Sequence, residues 1–200
     1  MADVTDAAFR FIIAKHSKGG EGAPLHSFVM FTEFTSADGL VLAPKEGRKK
    51  LLKNLEYSEI ERPIVAQFFT SKPKNMEKVA QLAVELGFDG VDINMGCPDR
   101  TVEKQGAGAA LIKNPKLVRE LIRAAKKGVN DEIPVSVKTR LGYNKDELET
   151  WLPELLAENP AAITVHARTR KEMSKVPARW ERVKRAVEIR DSKTPPNPPL

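Results

Sequence analysis

The sequence predicts an α/β fold, namely a (β/α)8 TIM barrel that is incomplete in this chain. Helical and strand patterns alternate along the 200 residues. The strands are short and apolar at most positions, which is typical of strands buried on both faces. Short links between them indicate right-handed βαβ units and hence a parallel sheet. The pattern contains about five strands, whereas a closed barrel has eight and about 250 residues. An open doubly wound sheet is the alternative.

The predicted elements follow one another in a regular order. A helix over 6–17 and a strand over 27–35 lead to a short basic helix or turn over 47–57. Each later strand is followed by a helix. The strands are predicted over 62–69, 88–96, 133–142 and 161–170, and the helices over 75–87, 114–129, 145–159 and 178–192.

Glycine and proline refine three of these helices. Gly87 is expected to end its helix as the residue just beyond the cap, where a left-handed conformation favours glycine. Pro115 is expected in the first turn of the next helix, where its missing N–H costs nothing. Pro153 falls inside a helical pattern and must kink that helix or mark its start.

The composition excludes several classes of protein. One cysteine in 200 residues allows neither an internal disulfide nor a multi-cysteine metal site, and it indicates a reducing, cytoplasmic compartment. No apolar run is long enough to span a membrane. The net charge of +6 suits a nucleic-acid partner, with an ordinary solvated surface as the alternative. No metal site, membrane contact or protein partner is predicted.

Polar side chains recur at the ends of four consecutive predicted strands. Residues two apart on a strand share a face, and a parallel barrel carries its functional groups at the carboxyl ends of its strands. The groups are Gln67, Asp92 with Asn94, Lys138 with Arg140, and Thr164 with His166 and Arg168. Because buried polar groups are costly without partners, the recurrence predicts a mouth that binds a polar ligand. Singly, each residue also has a purely structural interpretation.

The lone cysteine lies in the loop "NMGCPDRTVEKQGAG", residues 94–108, between a strand and a helix. Its Gly, Pro and Asp neighbours favour a functional thiol that acts as acid, nucleophile or redox group, and a buried inert thiol is the alternative. The glycines that follow allow close backbone approach. They do not match the dinucleotide-binding GxGxxG pattern, and a Walker A loop is absent.

Several segments together resemble the tRNA-dihydrouridine synthases. They are "NMGCP" at 94–98, "GAGAALIKNP" at 106–115, "VSVKTRLGY" at 135–143 and "ITVHARTR" at 163–170. The segments "MADVTDAAFR", "VMFTEFTSADGL" and "PIVAQFF" fit the same family. The resemblance runs in order over nearly the whole chain, and the motifs are specific in combination.

The resemblance implies a TIM-barrel flavoenzyme followed by a helical tRNA-binding domain. In this family NADPH reduces bound FMN, a hydride passes to C6 of a tRNA uracil, and a cysteine protonates C5 to give 5,6-dihydrouridine. Cys97 matches the proton donor. The positions that match flavin contacts are Met1, Ala2, Gln67, Lys138 and His166, and those expected near the substrate are Asn94, Arg140 and Arg168.

Elementary chemistry agrees with these expectations. A cation such as Lys138 would stabilise an anionic reduced flavin. A thiol of ordinary pKa, about 8.5, is already protonated at neutral pH and needs no activation to act as an acid. A basic rim would hold the RNA backbone. Its candidate residues are Arg100, Lys104, Arg140, Arg170 and Lys171.

The sequence also departs from the family pattern. The Asn-Gly-Asp and glycine-rich segments that hold the FMN phosphate in the family are absent, as is the helical domain. Residues 1–200 are therefore expected to be a partial FMN-binding barrel without its last strands. A catalytically silent or RNA-binding fragment is one alternative. Another FMN barrel reductase, such as a dihydroorotate or enoate enzyme, is a second, and "VHARTR" with the basic balance argues against it.

Overall fold

A computed structural model describes residues 4–17 and 28–193, and Met1 and Ala2 lie outside these ranges. The strands within these ranges are β1 Met30–Phe31, β2 Thr35–Ser36, β3 Ile64–Phe69, β4 Gly90–Asn94, β5 Val135–Arg140 and β6 Ala162–His166. The helices are α1 Ala7–Ser17, α2 Ala37–Leu42, α3 Lys45–Leu52, α4 Pro73–Glu85, α5 Arg100–Lys104, α6 Pro115–Val129, α7 Leu148–Leu156 and α8 Trp180–Lys193. Short 3-10 helices cover Lys53–Leu55, Glu59–Glu61 and Gly108–Lys113.

The strands form one parallel sheet in the order β1-β3-β4-β5-β6, and β2 pairs with β3 beyond the end of β1. Neighbours in the sheet from β3 to β6 are also neighbours in sequence, joined by α4, α6 and α7. A doubly wound sheet reverses its strand order at a switch point, and no reversal occurs among the described strands. The predicted fold class, an incomplete (β/α)8 barrel, is therefore confirmed.

The predicted strand over 27–35 becomes two short strands. Thr32 N–H still bonds to the carbonyl of Val65 at 3.0 Å. Gln67 N–H, however, bonds to the hydroxyl of Thr32 at 3.0 Å. A side chain thus replaces a backbone acceptor, and the regular ladder stops between β1 and β2.

The main hydrophobic core lies between the sheet and helices α4 and α6. Alternate strand residues, among them Val91, Ile93 and Val137, are fully or nearly fully buried against these helices. Helix α6 places its apolar residues three or four apart along one stripe, as an amphipathic helix does. On the same face of the sheet, Trp151 of α7 donates its indole N–H to the Thr139 hydroxyl at 3.0 Å. The alternate residues of the strands therefore face away from the helices.

The helix ends follow the expected residues closely. Gly87 has a φ of +75° just beyond α4, and the N–H groups of Gly87 and Phe88 bond to the carbonyls of Val84 and Ala83. This is a Schellman arrangement, and it confirms the prediction for Gly87. Pro115 is the first residue of α6, also as predicted. Pro153 lies inside α7 and does not mark its start.

Strand β6 forms the less buried edge of the sheet. Its residues are exposed or half-buried, whereas every residue of β4 is buried. An apolar groove of about 580 Å³ runs along β6 on the helix side, lined among others by Leu152 and Leu156 of α7 and Val183 of α8. Among the described residues, no helix has both the length and the apolar character needed to cross a membrane.

Candidate active site at the carboxyl ends of the strands

The register of the sheet brings the predicted polar residues into rows on the face turned away from the helices. Residues opposite one another in neighbouring parallel strands share a face. The rows are Gln67–Asp92–Ser136, Asn94–Lys138–Thr164 and Arg140–His166. The structure therefore brings together the strand-end groups that the sequence placed on one face. Stacked rows of inward side chains are also how the interior of a (β/α)8 barrel is built.

Buried amides and a carboxylate form the β3–β4 side of the site, which comprises Gln67, Asp92 and Asn94. Gln67 donates its amide N–H to Asp92 Oδ2 at 2.7 Å. Asn94 donates its Nδ2 to Gln67 Oε1 at 3.1 Å. Asp92 also accepts from the Ser136 hydroxyl at 2.7 Å. These side chains satisfy one another's hydrogen bonds, so their burial carries little penalty.

The cysteine loop is fixed directly beyond this network. Asn94 Oδ1 accepts from the backbone N–H groups of Gly96 and Cys97 at 3.1 and 2.9 Å. The Cys97 carbonyl accepts from Ala109 N–H at 2.9 Å. Gly108 has a φ of +60°, and a Cβ there would lie 2.6 Å from the Cys97 carbonyl oxygen. Only glycine fits at this point, so the close backbone approach predicted for this loop is confirmed at Gly108.

Arg140 joins the cysteine loop to the loop after β6. Its guanidinium donates to the backbone carbonyls of Gly96 at 2.7 Å, Thr169 at 3.2 Å and Met173 at 3.1 Å. The residue is only 6% exposed. Most of its donors are thus used within the protein, and a direct contact with substrate stays a prediction. Its charge remains close to both Cys97 and His166, whose proton affinities it influences.

Basic residues form the β5–β6 side of the site, which comprises Lys138, His166 and Arg168. Lys138 is half-buried, and among the described residues its ammonium has neither a hydrogen bond nor an ion pair. Burial lowers the pKa of Lys138, and the charge of Arg140 lowers it further. Partly desolvated, unpaired cations at a strand end are suited to an anionic or electron-rich ligand.

His166 is neutral in this setting. Burial first, and then the charges of Arg140, Lys138 and Arg168, lower the pKa of His166 to about 4. Arg168 Nη1 lies 2.9 Å from His166 Nε2. An arginine can only donate, so Nε2 is the accepting nitrogen and the ring proton is on Nδ1.

The thiol of Cys97 is half-buried and stays protonated. Burial raises the pKa of Cys97, which outweighs the lowering by its hydrogen bond with the Asp99 backbone and by the Arg140 charge. A thiolate nucleophile requires a lowered pKa. The arrangement around Cys97 therefore favours a proton donor at neutral pH.

Only some of the residues predicted for the basic rim have side chains free to bind RNA. Arg170 forms an ion pair with Glu103 of α5, with Nε 2.9 Å from Oε1, and its guanidinium also lies over the Tyr143 ring. The side chains of Arg100, Lys104 and Lys171 are exposed. Among the described residues, no group of three or more His, Cys, Asp and Glu side chains is arranged to hold a metal ion.

Two residues of the site received no role from the sequence. The sequence places Asp92 on the same face as Asn94 without assigning it a function, and it assigns none to Ser136. A signal was present for both, because each is a polar residue in an apolar strand, two positions before a predicted site residue. Their contact with each other depends on the pairing of β4 with β5, which the sequence does not specify.

The fold and the site together define the class of protein, a parallel α/β barrel whose strand ends carry a thiol, buried amides and cations. The family model for dihydrouridine synthase (Dus) matches residues 1–191. The chain therefore belongs to the dihydrouridine synthase family, as the sequence motifs predicted.

Similar proteins carry consistent names. The chain is 41% identical over 196 residues to "Probable tRNA-dihydrouridine synthase 2" of Bacillus subtilis. It is 39% identical over 196 residues to "Probable tRNA-dihydrouridine synthase" of Staphylococcus aureus strain COL. A protein of the same name from Staphylococcus epidermidis is 38% identical. Each alignment covers 98% of this chain and 56% of the relative, so the chain spans little more than half of their length.

Proposed function

We propose that residues 1–200 form part of the FMN-binding catalytic barrel of a tRNA-dihydrouridine synthase. The enzyme would be a flavin-dependent oxidoreductase acting on CH–CH bonds with NAD(P)+ as acceptor. It would reduce the C5–C6 double bond of a tRNA uridine to 5,6-dihydrouridine. The observation that carries the proposal is the half-buried Cys97 thiol in a loop fixed by Asn94, whose partner in the neighbouring strand is the cation Lys138, unpaired among the described residues. Family membership and the names of the relatives support it.

The residues present fit the ring of a flavin. Its pyrimidine edge offers hydrogen-bond acceptors and gains negative charge on reduction, so it suits the free ammonium of Lys138. Gln67 offers an amide whose orientation is fixed by its hydrogen bond to Asp92. Because His166 is neutral, it adds no further positive charge to the site. When bound, FMN supplies hydride transfer. Met1 and Ala2, which lie outside the described residues, complete the proposed contacts.

Cys97 is the proposed acid. Reduction of uracil adds a hydride equivalent, which originates from NADPH, at C6 and a proton at C5. The proton leaves Cys97 Sγ, and solvent reprotonates the half-buried thiolate afterwards. The raised pKa of Cys97 keeps the proton in place until it is needed. The same raised pKa makes the thiolate a strong base, which recovers its proton readily.

Asn94 and Arg168 have groups left for the substrate. Asn94 uses one amide hydrogen on Gln67 and its oxygen on the loop, which leaves its second amide hydrogen for a ligand. Arg168 donates Nε to the Val176 carbonyl and Nη1 to His166. Its Nη2 has no hydrogen bond to a described residue and can meet a uracil oxygen or a phosphate.

tRNA is the proposed macromolecular partner. A uracil must leave the base stack to reach a strand-end mouth, and cations around the mouth would hold the neighbouring phosphates. Arg100, Lys104 and Lys171 are exposed and available for this purpose. Arg170 is already paired with Glu103, so we expect its contribution to RNA binding to be smaller.

The test begins with titration of FMN into the purified chain, followed by absorbance and fluorescence. We expect saturable binding by this chain, and dihydrouridine formation when NADPH and a tRNA transcript are added to a chain of the relatives' full length. Dihydroorotate and enoate substrates serve as controls for the competing reductase classes. A chain that binds no FMN but retains RNA would support the silent RNA-binding alternative and would contradict the proposal.

A further inference from the structure

Asp92 is a fully buried carboxylate in the middle of β4, and the proposed chemistry gives it no step. Burying an ionised carboxylate costs several kcal/mol unless partners compensate. Here Gln67 and Ser136 each donate a hydrogen bond at 2.7 Å, and Lys138 contributes its charge. Burial raises the pKa of Asp92 to about 6, so the group is ionised at neutral pH. A charge kept at this cost suggests a role beyond packing.

Asp92 determines which groups donate and which accept in the hydrogen bonds of Gln67 and Asn94. An ionised carboxylate only accepts, so Gln67 has to turn its Nε2 towards Asp92. Gln67 Oε1 then faces Asn94, which has to donate from Nδ2. Asn94 Oδ1 consequently faces the backbone N–H groups of Gly96 and Cys97. Reversing the side-chain amide of Gln67 or of Asn94 would place one hydrogen-bond donor against another.

The backbone N–H groups of Gly96 and Cys97 depend on these two side-chain amides for their acceptor. The other backbone hydrogen bonds of Gly96 and Cys97 are made by their carbonyls, namely Gly96 O bonded to Arg140 and Cys97 O bonded to Ala109. Those bonds do not constrain the N–H groups. Among the described residues, Asn94 Oδ1 is the acceptor for both, and its orientation follows from a carboxylate two residues earlier in the strand.

We propose that Asp92 is a positioning residue: it sets the direction of the Gln67 and Asn94 amides and thereby holds the backbone of Gly96 and Cys97. Its importance for catalysis rests on the proposed function, in which Cys97 is the acid. The positioning itself requires neither flavin nor RNA, so it can be measured on the chain alone.

The experiment measures hydrogen exchange at individual backbone amides by NMR, without FMN or RNA. In Asp92→Ala we expect exchange at Gly96 and Cys97 to accelerate about fivefold to tenfold, the equivalent of losing one hydrogen bond. The reference amides are Met95, which bonds to the Lys138 carbonyl, and Ala109, which bonds to the Cys97 carbonyl. These two should change little.

Three further variants separate positioning from general loosening. Gln67→Met removes the middle amide of the hydrogen-bonded series Asp92–Gln67–Asn94 and should reproduce the exchange pattern of Asp92→Ala. It also serves as the test if Asp92→Ala does not fold. Asp92→Asn keeps an acceptor for Gln67 and can donate to the Ser136 hydroxyl, so exchange should return to within about twofold of wild type. Ser136→Ala removes the other partner of Asp92 and should leave Gly96 and Cys97 unaffected.

Two outcomes would overturn the proposal. One is unchanged exchange at Gly96 and Cys97 in Asp92→Ala or in Gln67→Met. The other is equal acceleration at Met95 and Ala109, which indicates a purely structural role. If the wild-type chain failed to bind FMN, the proposed function would fall, while the exchange pattern would still decide the role of Asp92.

Discussion

The two sides of the site are built on opposite principles. On the β3–β4 side, Gln67, Asp92 and Asn94 are buried and bonded to one another. On the β5–β6 side, Lys138 and Arg168 are half-buried cations with donors to spare. On the β3–β4 side the polar groups hydrogen-bond one another before any ligand arrives, whereas on the β5–β6 side the ammonium of Lys138 has no such partner among the described residues.

This difference indicates a division of work. A satisfied network is rigid and holds geometry, which suits the loop that carries the thiol. Unsatisfied, partly desolvated cations have a high affinity for a ligand with negative charge. We therefore expect substitutions on the β3–β4 side and in its loop to affect chemistry, and substitutions on the β5–β6 side to affect binding.

The largest effect should come from Cys97→Ala. Removal of a general acid costs about 10²–10⁴-fold in rate, and we expect dihydrouridine formation to be abolished at the level of detection. FMN binding and NADPH oxidation should be retained, because no cofactor contact is removed. The test uses a chain of the relatives' full length, with dihydrouridine quantified in tRNA. Equal product formation by the variant would refute the role of Cys97 as proton donor.

Opposite pH dependence should distinguish Asp92 from His166. The pKa of Asp92, about 6, lies above its ordinary 3.8, so the folded state holds this proton more tightly than the unfolded state. Its contribution to the free energy of unfolding falls by up to about 3 kcal/mol as pH rises from 4 to 6. The pKa of His166, about 4, lies below 6.5, so its contribution is lost as pH falls from 6.5 to 4.

Urea denaturation at several pH values between 4 and 6.5 tests this contrast. Relative to wild type, Asp92→Asn should gain stability as pH rises, because the cost of ionising a buried acid is gone. His166→Gln should gain relative stability as pH falls, because no ring has to be protonated. Curves for the two variants that run parallel to the wild-type curve would contradict both assignments.

Lys138→Ala should weaken FMN binding by about tenfold to a hundredfold, which corresponds to the loss of one charge-assisted hydrogen bond. Fluorescence titration of FMN measures the change. Lys145→Ala is the matched control, since Lys145 is exposed in the loop after the same strand. Equal affinities of wild type and Lys138→Ala would remove Lys138 from the flavin site and would undo the contrast between the two sides.

The smallest effect concerns the ion pair that joins the two sides at the surface. Arg170 follows β6 and Glu103 lies in α5 after β4, and their side chains are 27% and 10% exposed. We expect Arg170→Ala to lower the free energy of unfolding by about 1 kcal/mol. Arg185→Ala, which removes a more exposed pair with Glu149, should cost less. A double-mutant cycle with Glu103→Gln isolates the pair.

The alternation of strands and helices was predictable because each element follows from the spacing of apolar residues within its own segment. Each predicted segment from 62 onwards overlaps the corresponding strand or helix, although α4 begins two residues before its segment and α8 ends one residue after its own. Helices α2 and α5 were not predicted, because they are only six and five residues long and carry too little periodicity. Helix α5 is started by Asp99, whose carboxylate accepts from the N–H groups of Thr101 and Val102.

The membership of the site was also predictable in part. Strand parity placed Asn94 and Lys138 on the faces that the structure shows meeting. Parity could not show that Arg140 would turn its guanidinium onto three backbone carbonyls. That outcome depends on where two loops come to lie after folding, and no local pattern records it.

The sequence by itself determined the order of the elements, the alternating faces of the strands and the loop position of the only cysteine. These are properties of short segments, set by periods of 2.0 and 3.6 residues. Only the tertiary structure decided that Asp92 meets Gln67 and that Gln67 meets Asn94, across 25 and 27 residues of chain. Such contacts depend on strand register, which follows from how whole strands pack together and not from any single segment.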